Sequence, residues 1–278
     1  MAGVNQSQQL FIQAMMTQGA LLEADVKQLY HSVLSGYGIV ESSDEKSFDS
    51  FLTSLNHHLK LLDMQIVHSL MEDSYERWYG LVNRSADPGA KIATRYTLAE
   101  LEFFNKVMET LATENGMASS TVLINMTQGL ERKMTGSGAQ SFLTSLIKSK
   151  WLREISTGKF GAGPRFVLEL RPFLSDIFKE DVVICQLCRE AVVRGDICGS
   201  EGCNIKLHLL CIARFAQGRE KESSSTPCTR APEQRRNASV KRVSIKCPGC
   251  HGDWTSDLPQ IDFPGKKTDH PGITLSDQ

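Results

Sequence analysis

The chain has 278 residues, of which 41% are hydrophobic and 23% charged, and its formal net charge is -1. That length allows two or three domains with real cores, and that composition excludes a wholly disordered chain or one that coats nucleic acid along its length. Any electrostatic function is therefore local. The N-terminal run MAGVNQSQQLFIQAMM has no basic head, long apolar run or cleavage pattern, so a soluble intracellular chain with no membrane segment is expected.

The first expected module spans residues 1–95. LLEADVKQLYHSVL places Leu22, Val26, Leu29, Tyr30 and Val33 at helical spacing, with Gly36 as a stop. In SSDEKSFDSFLTSLNHHLKLL, Ser42 and Glu45 have capping-box spacing, and Phe48, Phe51, Leu52, Leu55, Leu59 and Leu62 form one apolar stripe. MQIVHSLMED and RWYGLVNR alternate as two antiparallel strands joined by a polar turn, and SADPGAK reads as a linker.

A second module, residues 96–181, repeats that order. TLAELEFFNKVMETLATENG opens with a Thr97/Glu100 capping box and carries Leu98, Leu101, Phe104, Met108 and Leu111 on one face. GAQSFLTSLIKSKWL gives another amphipathic helix through Phe142, Leu143, Leu146 and Ile147. WLREIS, TGKFGAG and PRFVLEL then read as a strand, a loop and a returning strand. Helices followed by a two-stranded wing, twice over, is the winged-helix plan. Lys148, Lys150, Lys159 and Arg165 form a modest basic set for phosphate, against the alternative of a solvated face.

All eight cysteines follow Ile184. Cys185, Cys188, Cys198, Cys203, His208, Cys211, Cys247 and Cys250 have the spacing C-x2-C-x9-C-x4-C-x4-H-x2-C-x35-C-x2-C. Eight soft donors make two tetrahedral zinc sites, and a two-residue gap lets a tight turn aim both donors at one ion. A disulfide framework leaves the regular pairs unexplained in a reducing compartment, and a fully ligated thiolate offers no free nucleophile. Ligand order suggests an interleaved pairing, with Cys185, Cys188, His208 and Cys211 on one ion and Cys198, Cys203, Cys247 and Cys250 on the other; sequential pairing competes. His251 is a possible substitute ligand, and Cys228 reads as a free thiol in a loop. A zinc module over 182–256 is expected, with a basic insertion at about 216–246 holding Arg230, Arg235, Arg236, Lys241, Arg242 and Lys246. A disordered tail is expected over 257–278.

The order of four cysteines, a histidine and three cysteines resembles variant RING modules and plant homeodomain fingers. The latter usually carry an aromatic residue two positions before the seventh ligand, where this chain has Ile245. RING modules often have a proline after the seventh ligand, here Pro248, with apolar residues at the positions of Leu187 and Phe215 that dock a ubiquitin-conjugating enzyme. The arginine that many active RING modules carry soon after the eighth ligand is missing, and His251 follows Cys250 directly.

The whole arrangement, α+β with tandem winged-helix modules followed by a two-zinc cross-braced RING-like domain, resembles the non-SMC element 1 subunits of the structural maintenance of chromosomes 5/6 complex. The resemblance implies a nuclear, chromatin-associated protein of DNA repair by homologous recombination. It implies a MAGE-homology partner docked on the winged helices, a kleisin partner, and weak contact with double-stranded DNA within the complex. It also implies partner-enhanced ubiquitin ligase activity with two structural zinc ions and no catalytic side chain, as against a purely architectural zinc platform or a histone-tail reader.

Overall fold

The computed structural model describes residues 4–38, 45–84, 96–171, 174, 182–223 and 240–259. The chain divides into two compact units, one comprising Met1–Met71 and Glu76–Val182, the other Glu72–Tyr75 and Val183–Gln278. Among the described residues, no helix is long and apolar enough to cross a membrane.

In the first unit, α1 (Gln6–Gln18), β1 (Ala20–Leu22), α2 (Glu23–Gly36), α3 (Glu45–Leu59), β2 (Met64–Leu70) and β3 (Arg77–Asn83) follow one another, and the strands form an antiparallel sheet in the order β1-β3-β2. The same sequence of elements then recurs. α4 (Leu98–Thr113), β4 (Met117–Ser119), α5 (Ser120–Asn125), α6 (Gly136–Lys148), β5 (Leu152–Ser156) and β6 (Lys159–Ala162) give a second sheet ordered β4-β6-β5. A helix, a short strand, two helices and a hairpin thus follow one another twice.

Local chemistry accounts for these boundaries. Asn5 caps α1, its side chain accepting from the Gln8 backbone at 2.8 Å while Gln8 reaches back to the Asn5 N–H at 3.2 Å. Thr97 and Glu100 form the expected reciprocal box at the start of α4. Ser42, proposed as the cap of α3, lies outside the described residues. Phe11, Met15, Val26, Tyr30, Phe48, Leu52, Leu55, Leu59, Ile66 and Tyr79 fill the first core, so the helices bury one face against the hairpin.

Three expectations about these helices and strands need correction. Leu62, placed on the stripe of α3, lies past the end of that helix and is exposed. The buried side of α4 is Phe103, Phe104, Val107, Met108, Leu111 and Ala112, whereas Leu98, placed on the apolar stripe, is exposed at the first turn. PRFVLEL is no strand: the chain reverses at Thr157 and Gly158, with Gly158 at φ +71°, so β6 occupies KFGA and Phe166–Leu170 form a single π-helical turn. Phe166, Val167, Leu168 and Leu170 are all buried, a pattern without the alternation that a half-exposed strand needs.

That turn joins the two modules. Leu168 packs with Ala20 and Val82 and against Trp78. A Cβ on Gly80 would lie 2.9 Å from the Leu168 side chain and 3.3 Å from the Gly19 carbonyl, so a larger residue there would have to displace Leu168. Lys150 adds a polar tie, donating from Nζ to the carbonyls of Gln18 at 3.2 Å and Ala20 at 2.5 Å, with Trp78 5.8 Å beneath it. Arg165 lies over the Trp151 ring at 4.3 Å and pairs with Glu169 at 2.6 Å. Two members of the expected phosphate-binding set are therefore committed inside the fold, while Lys148 and Lys159 are exposed.

The second unit holds β7 (Gly195–Ile197) paired with β8 (Lys206–His208), α7 (Leu209–Ser223), and a hairpin of β9 (Val240–Lys246) and β10 (Asp253–Pro259). Its core is Val192, Leu207, Ile212, Ala213, Ile245, Trp254 and Leu258, together with three of the cysteines. β10 carries ordered structure beyond residue 256, and β9 takes up the last part of the expected basic insertion. There Arg242 and Asp257 pair at 2.8 Å and Lys246 and Asp253 at 2.6 Å, each couple directly opposite across the hairpin. Arg230, Arg235, Arg236 and Cys228 lie outside the described residues.

Candidate metal centre

Each paired motif is a tight turn built the same way. At Cys185, the residue four positions on, Arg189, adopts φ +63° and returns its N–H to the Cys185 carbonyl at 2.8 Å. At Cys247, the fourth residue on is His251, with φ +59° and a 3.0 Å bond to the Cys247 carbonyl. The left-handed residue turns the chain back so that the two sulfurs of each pair face one side. His251 is thereby a turn residue, and it joins neither donor group. Cys198 and Cys203 flank a loop pinned by the Cys198 N–H on the Ile205 carbonyl at 2.9 Å, with Gly202 at φ +76°. His208 ends β8, and Cys211 lies in the first turn of α7.

These turns bring the donors together in two groups, Cys185, Cys188, His208 and Cys211 in one and Cys198, Cys203, Cys247 and Cys250 in the other, with all donor atoms of a group within 4.8 Å of one another. The grouping is interleaved along the chain, and the sequential alternative is not formed. His208 Nδ1 stands 3.3 Å from Cys188 Sγ and 3.7 Å from Cys211 Sγ. In the second group Cys198 and Cys250 sulfurs are 3.7 Å apart, as are those of Cys203 and Cys247.

Those separations test what the groups can hold. Disulfide sulfurs sit about 2.05 Å apart, and all seven described cysteines are free. A tetrahedral ion with Zn–S bonds of about 2.3 Å demands sulfur edges of roughly 3.8 Å. The donor set fits zinc in both number and chemistry.

Protons are distributed unevenly among the donors. Hydrogen bonds from Cys188 and Cys211 hold the Cys185 thiol far below its ordinary range, while the bonds Cys211 makes with Cys185 and Cys188, together with burial, push Cys211 far above. In the second group a hydrogen bond from Ser200 draws Cys250 down to about 6. Ile205's N–H pulls Cys203 down, but burial and the Cys250, Cys247 and Cys198 sulfurs carry it to about 12. Packed thiols share protons because adjacent thiolates repel, and a divalent cation would remove the conflict.

Of the residues expected to touch a conjugating enzyme, Leu187 and Phe215 are half-buried and pack on the core of the unit, and Pro248 is half-buried beside Cys247. Three residues had no sequence signal as parts of the site. Glu72, from the turn after β2, has Oε1 3.2 Å from His208 Nε2. Trp254 and Asp196 join β10 to β7.

The comparisons with known proteins agree with this geometry. A family model described as the Nse1 non-SMC component of the SMC5-6 complex matches residues 8–170. The chain belongs to that family. A second model, a RING-like domain, matches residues 185–228, which takes in every donor up to Cys211 and stops short of Cys247 and Cys250. Among the relatives of this Nse1 family member, the non-structural maintenance of chromosomes element 1 homolog of Rattus norvegicus is 29% identical over 268 residues, covering 96% of this chain and 90% of that one. The Homo sapiens homolog is 29% identical over 259 residues, covering 92% and 87%. A solved chain from an Nse1-Nse3-Nse4 complex superimposes with a TM-score of 0.75 at 27% identity, over 91% of this chain and 98% of its own.

Proposed function

We propose that this chain is the RING-type ubiquitin ligase subunit of an SMC5-6 complex. The observation that carries this reading is the interleaved pair of four-donor groups in a RING-like domain, on a chain of the Nse1 family. Zinc, two ions per chain, would supply structural cross-links and no Lewis-acid chemistry, since four protein donors fill each position. Cys185, Cys188, His208 and Cys211 would hold one ion; Cys198, Cys203, Cys247 and Cys250 the other.

No side chain of this protein acts as nucleophile, acid or base in the proposed reaction. Leu187, Phe215 and Pro248 form the surface against which a charged conjugating enzyme docks, and docking restricts the thioester to conformations open to attack by a lysine, an effect of proximity and orientation. The likeness to a chain of a solved Nse1-Nse3-Nse4 complex supports an Nse3-type and an Nse4-type partner; in this reading they are the MAGE-homology and kleisin subunits, and the first unit of this chain is the docking block. The setting is nuclear, on chromatin, in repair by homologous recombination. Double-stranded DNA contact is weak and belongs to the assembly, since Lys150 and Arg165 are spent inside the fold.

A ubiquitin-discharge assay with and without the MAGE-homology subunit tests this reading. Discharge that rises with the partner and is lost in Leu187→Glu, both zinc ions remaining bound, is the expected result; no discharge under either condition refutes ligase activity. The second reading, an architectural zinc platform, is favoured by His251 at the position where an arginine would grip ubiquitin. A histone-tail reader is disfavoured by Ile245, buried in the core in place of an aromatic residue.

A further inference from the structure

We propose that Glu72 is a positioning carboxylate for the one-nitrogen metal centre, orienting His208 from the side opposite its donor atom; the inference rests on the reading that Cys185, Cys188, His208 and Cys211 hold zinc. His208 presents Nδ1 to the sulfurs of Cys188 and Cys211 at 3.3 and 3.7 Å. A neutral imidazole that offers the Nδ1 lone pair carries its hydrogen on Nε2, and that N–H is buried with the residue.

Two oxygens approach it. The Ala191 carbonyl lies 3.0 Å from Nε2 and takes its hydrogen bond, while Glu72 Oε1 stands 3.2 Å away at ion-pair distance with no hydrogen bond of its own. The carbonyl is a neutral acceptor just past the turn that carries Cys185 and Cys188, where Ala191 bridges to Ile184. Glu72 is a charge from more than a hundred residues upstream, 7% exposed. A carboxylate so buried needs hydrogen bonds or compensating charge to stay ionised. Its Oε2 accepts the backbone N–H of Arg194, whose guanidinium pairs in turn with Asp73. Tyr75, at φ +56°, completes the turn that presents Glu72, and Lys206, 6% exposed, supplies a compensating positive charge.

Anchoring the turn accounts for Oε2 and for Asp73 but leaves Oε1 unexplained. A carboxylate paired with the far nitrogen of a metal-binding histidine locks the tautomer and ring plane and makes the donor nitrogen more basic. Loss of such a partner typically weakens metal affinity about 10- to 100-fold. The second group, all sulfur, has no histidine through which Glu72 could act, so the effect is confined to one centre.

The test uses the full chain loaded with zinc, comparing wild type, E72Q, E72D and D73N. Zinc transfer to a chromogenic chelator gives affinity, and cadmium NMR of the substituted protein separates the one-nitrogen from the all-sulfur centre. The expected result is two ions in wild type and, in E72Q, one ion held about 10- to 100-fold more weakly, with only the one-nitrogen resonance displaced. E72D, which keeps the charge, shows a smaller loss and stands in if E72Q does not fold. D73N, which removes only the Arg194 ion pair, leaves both centres as they are. Equal retention in wild type, E72Q and E72D, or a D73N loss matching that of E72Q, overturns the assignment. A wild-type chain that takes up no zinc overturns the metal reading itself, and with it this inference.

Discussion

The indole N–H of Trp254 donates to the carboxylate of Asp196 at 3.1 Å. Trp254 is 2% exposed, at the start of β10, and Asp196 is the middle residue of β7, so one bond fixes the C-terminal hairpin to the strand that leads into Cys198. Replacing Trp254 with alanine removes a large buried ring and is expected to cost about 3 to 5 kcal/mol. The loss should appear as a lower melting temperature of the zinc-loaded second unit, with the helical unit unaffected. Trp254→Phe, which keeps most of the volume and removes only the bond to Asp196 Oδ2, leaving Oδ1 on the Ile197 N–H, should cost less.

Metal removal should act on one unit alone. Structural zinc contributes folding free energy on the order of 10 kcal/mol per site in small zinc domains, whereas the first unit has two filled cores and no donor group among its described residues. A strong chelator is expected to abolish the near-ultraviolet signal of Trp254 and leave most far-ultraviolet helical signal intact. Complete loss of helix would mean that the first unit does not stand without the second.

Lys150 is predicted to be structural. Its ammonium satisfies two backbone carbonyls, and burial lowers its pKa, with Asp25 opposing. Lys150→Met leaves those carbonyls without a charged donor and should destabilise the first unit by about 2 kcal/mol in urea denaturation. DNA affinity of the assembled complex, read from its salt dependence, should not change; a reduced salt slope would return Lys150 to the phosphate-binding set.

Alkaline pH should weaken the first unit through Tyr79. Burial pushes its phenol up to about 12, with the negative charge of Glu23 adding to the shift and Arg77 opposing it. A group whose folded pKa is raised gives its full stabilisation below its ordinary pKa of about 10 and loses it as pH rises through the folded value. Unfolding free energy is therefore expected to fall by of the order of 2 kcal/mol between about pH 10 and 12. In Tyr79→Phe that component should vanish, and an identical decline in both proteins would assign the effect elsewhere.

The set of eight donors was legible in the sequence because two-residue gaps constrain geometry strongly, whereas the interleaved grouping stood there beside a sequential alternative and comes from the fold. Capping chemistry was legible at Thr97 for the same local reason. β10 was not, since its inward positions are Trp254, Ser256 and Leu258, and a buried serine between Thr255 and Asp257 hides the alternation that marks a strand. The helix α1 escaped because its buried face includes Ser7 and Gln8 beside Phe11 and Met15. β1 and β4, three residues each, owe their form to β3 and β6 beside them rather than to their own side chains. Glu72 has no motif, because its partner His208 is distant in sequence and a turn carboxylate is ordinary until the fold places it.

The interleaved order also sets a timetable for synthesis. Every donor of the one-nitrogen centre has been made once Cys211 emerges, and Glu72 long before, whereas Cys198 and Cys203 wait for Cys247 and Cys250. At translation rates of about 5 to 20 residues per second, the intervening stretch takes roughly 2 to 8 seconds. For that interval two reactive thiols of a half-made centre stand beside a finished one, so the ribosome-bound chain passes through a state that can hold one ion and is open to oxidation or to the wrong metal at the other.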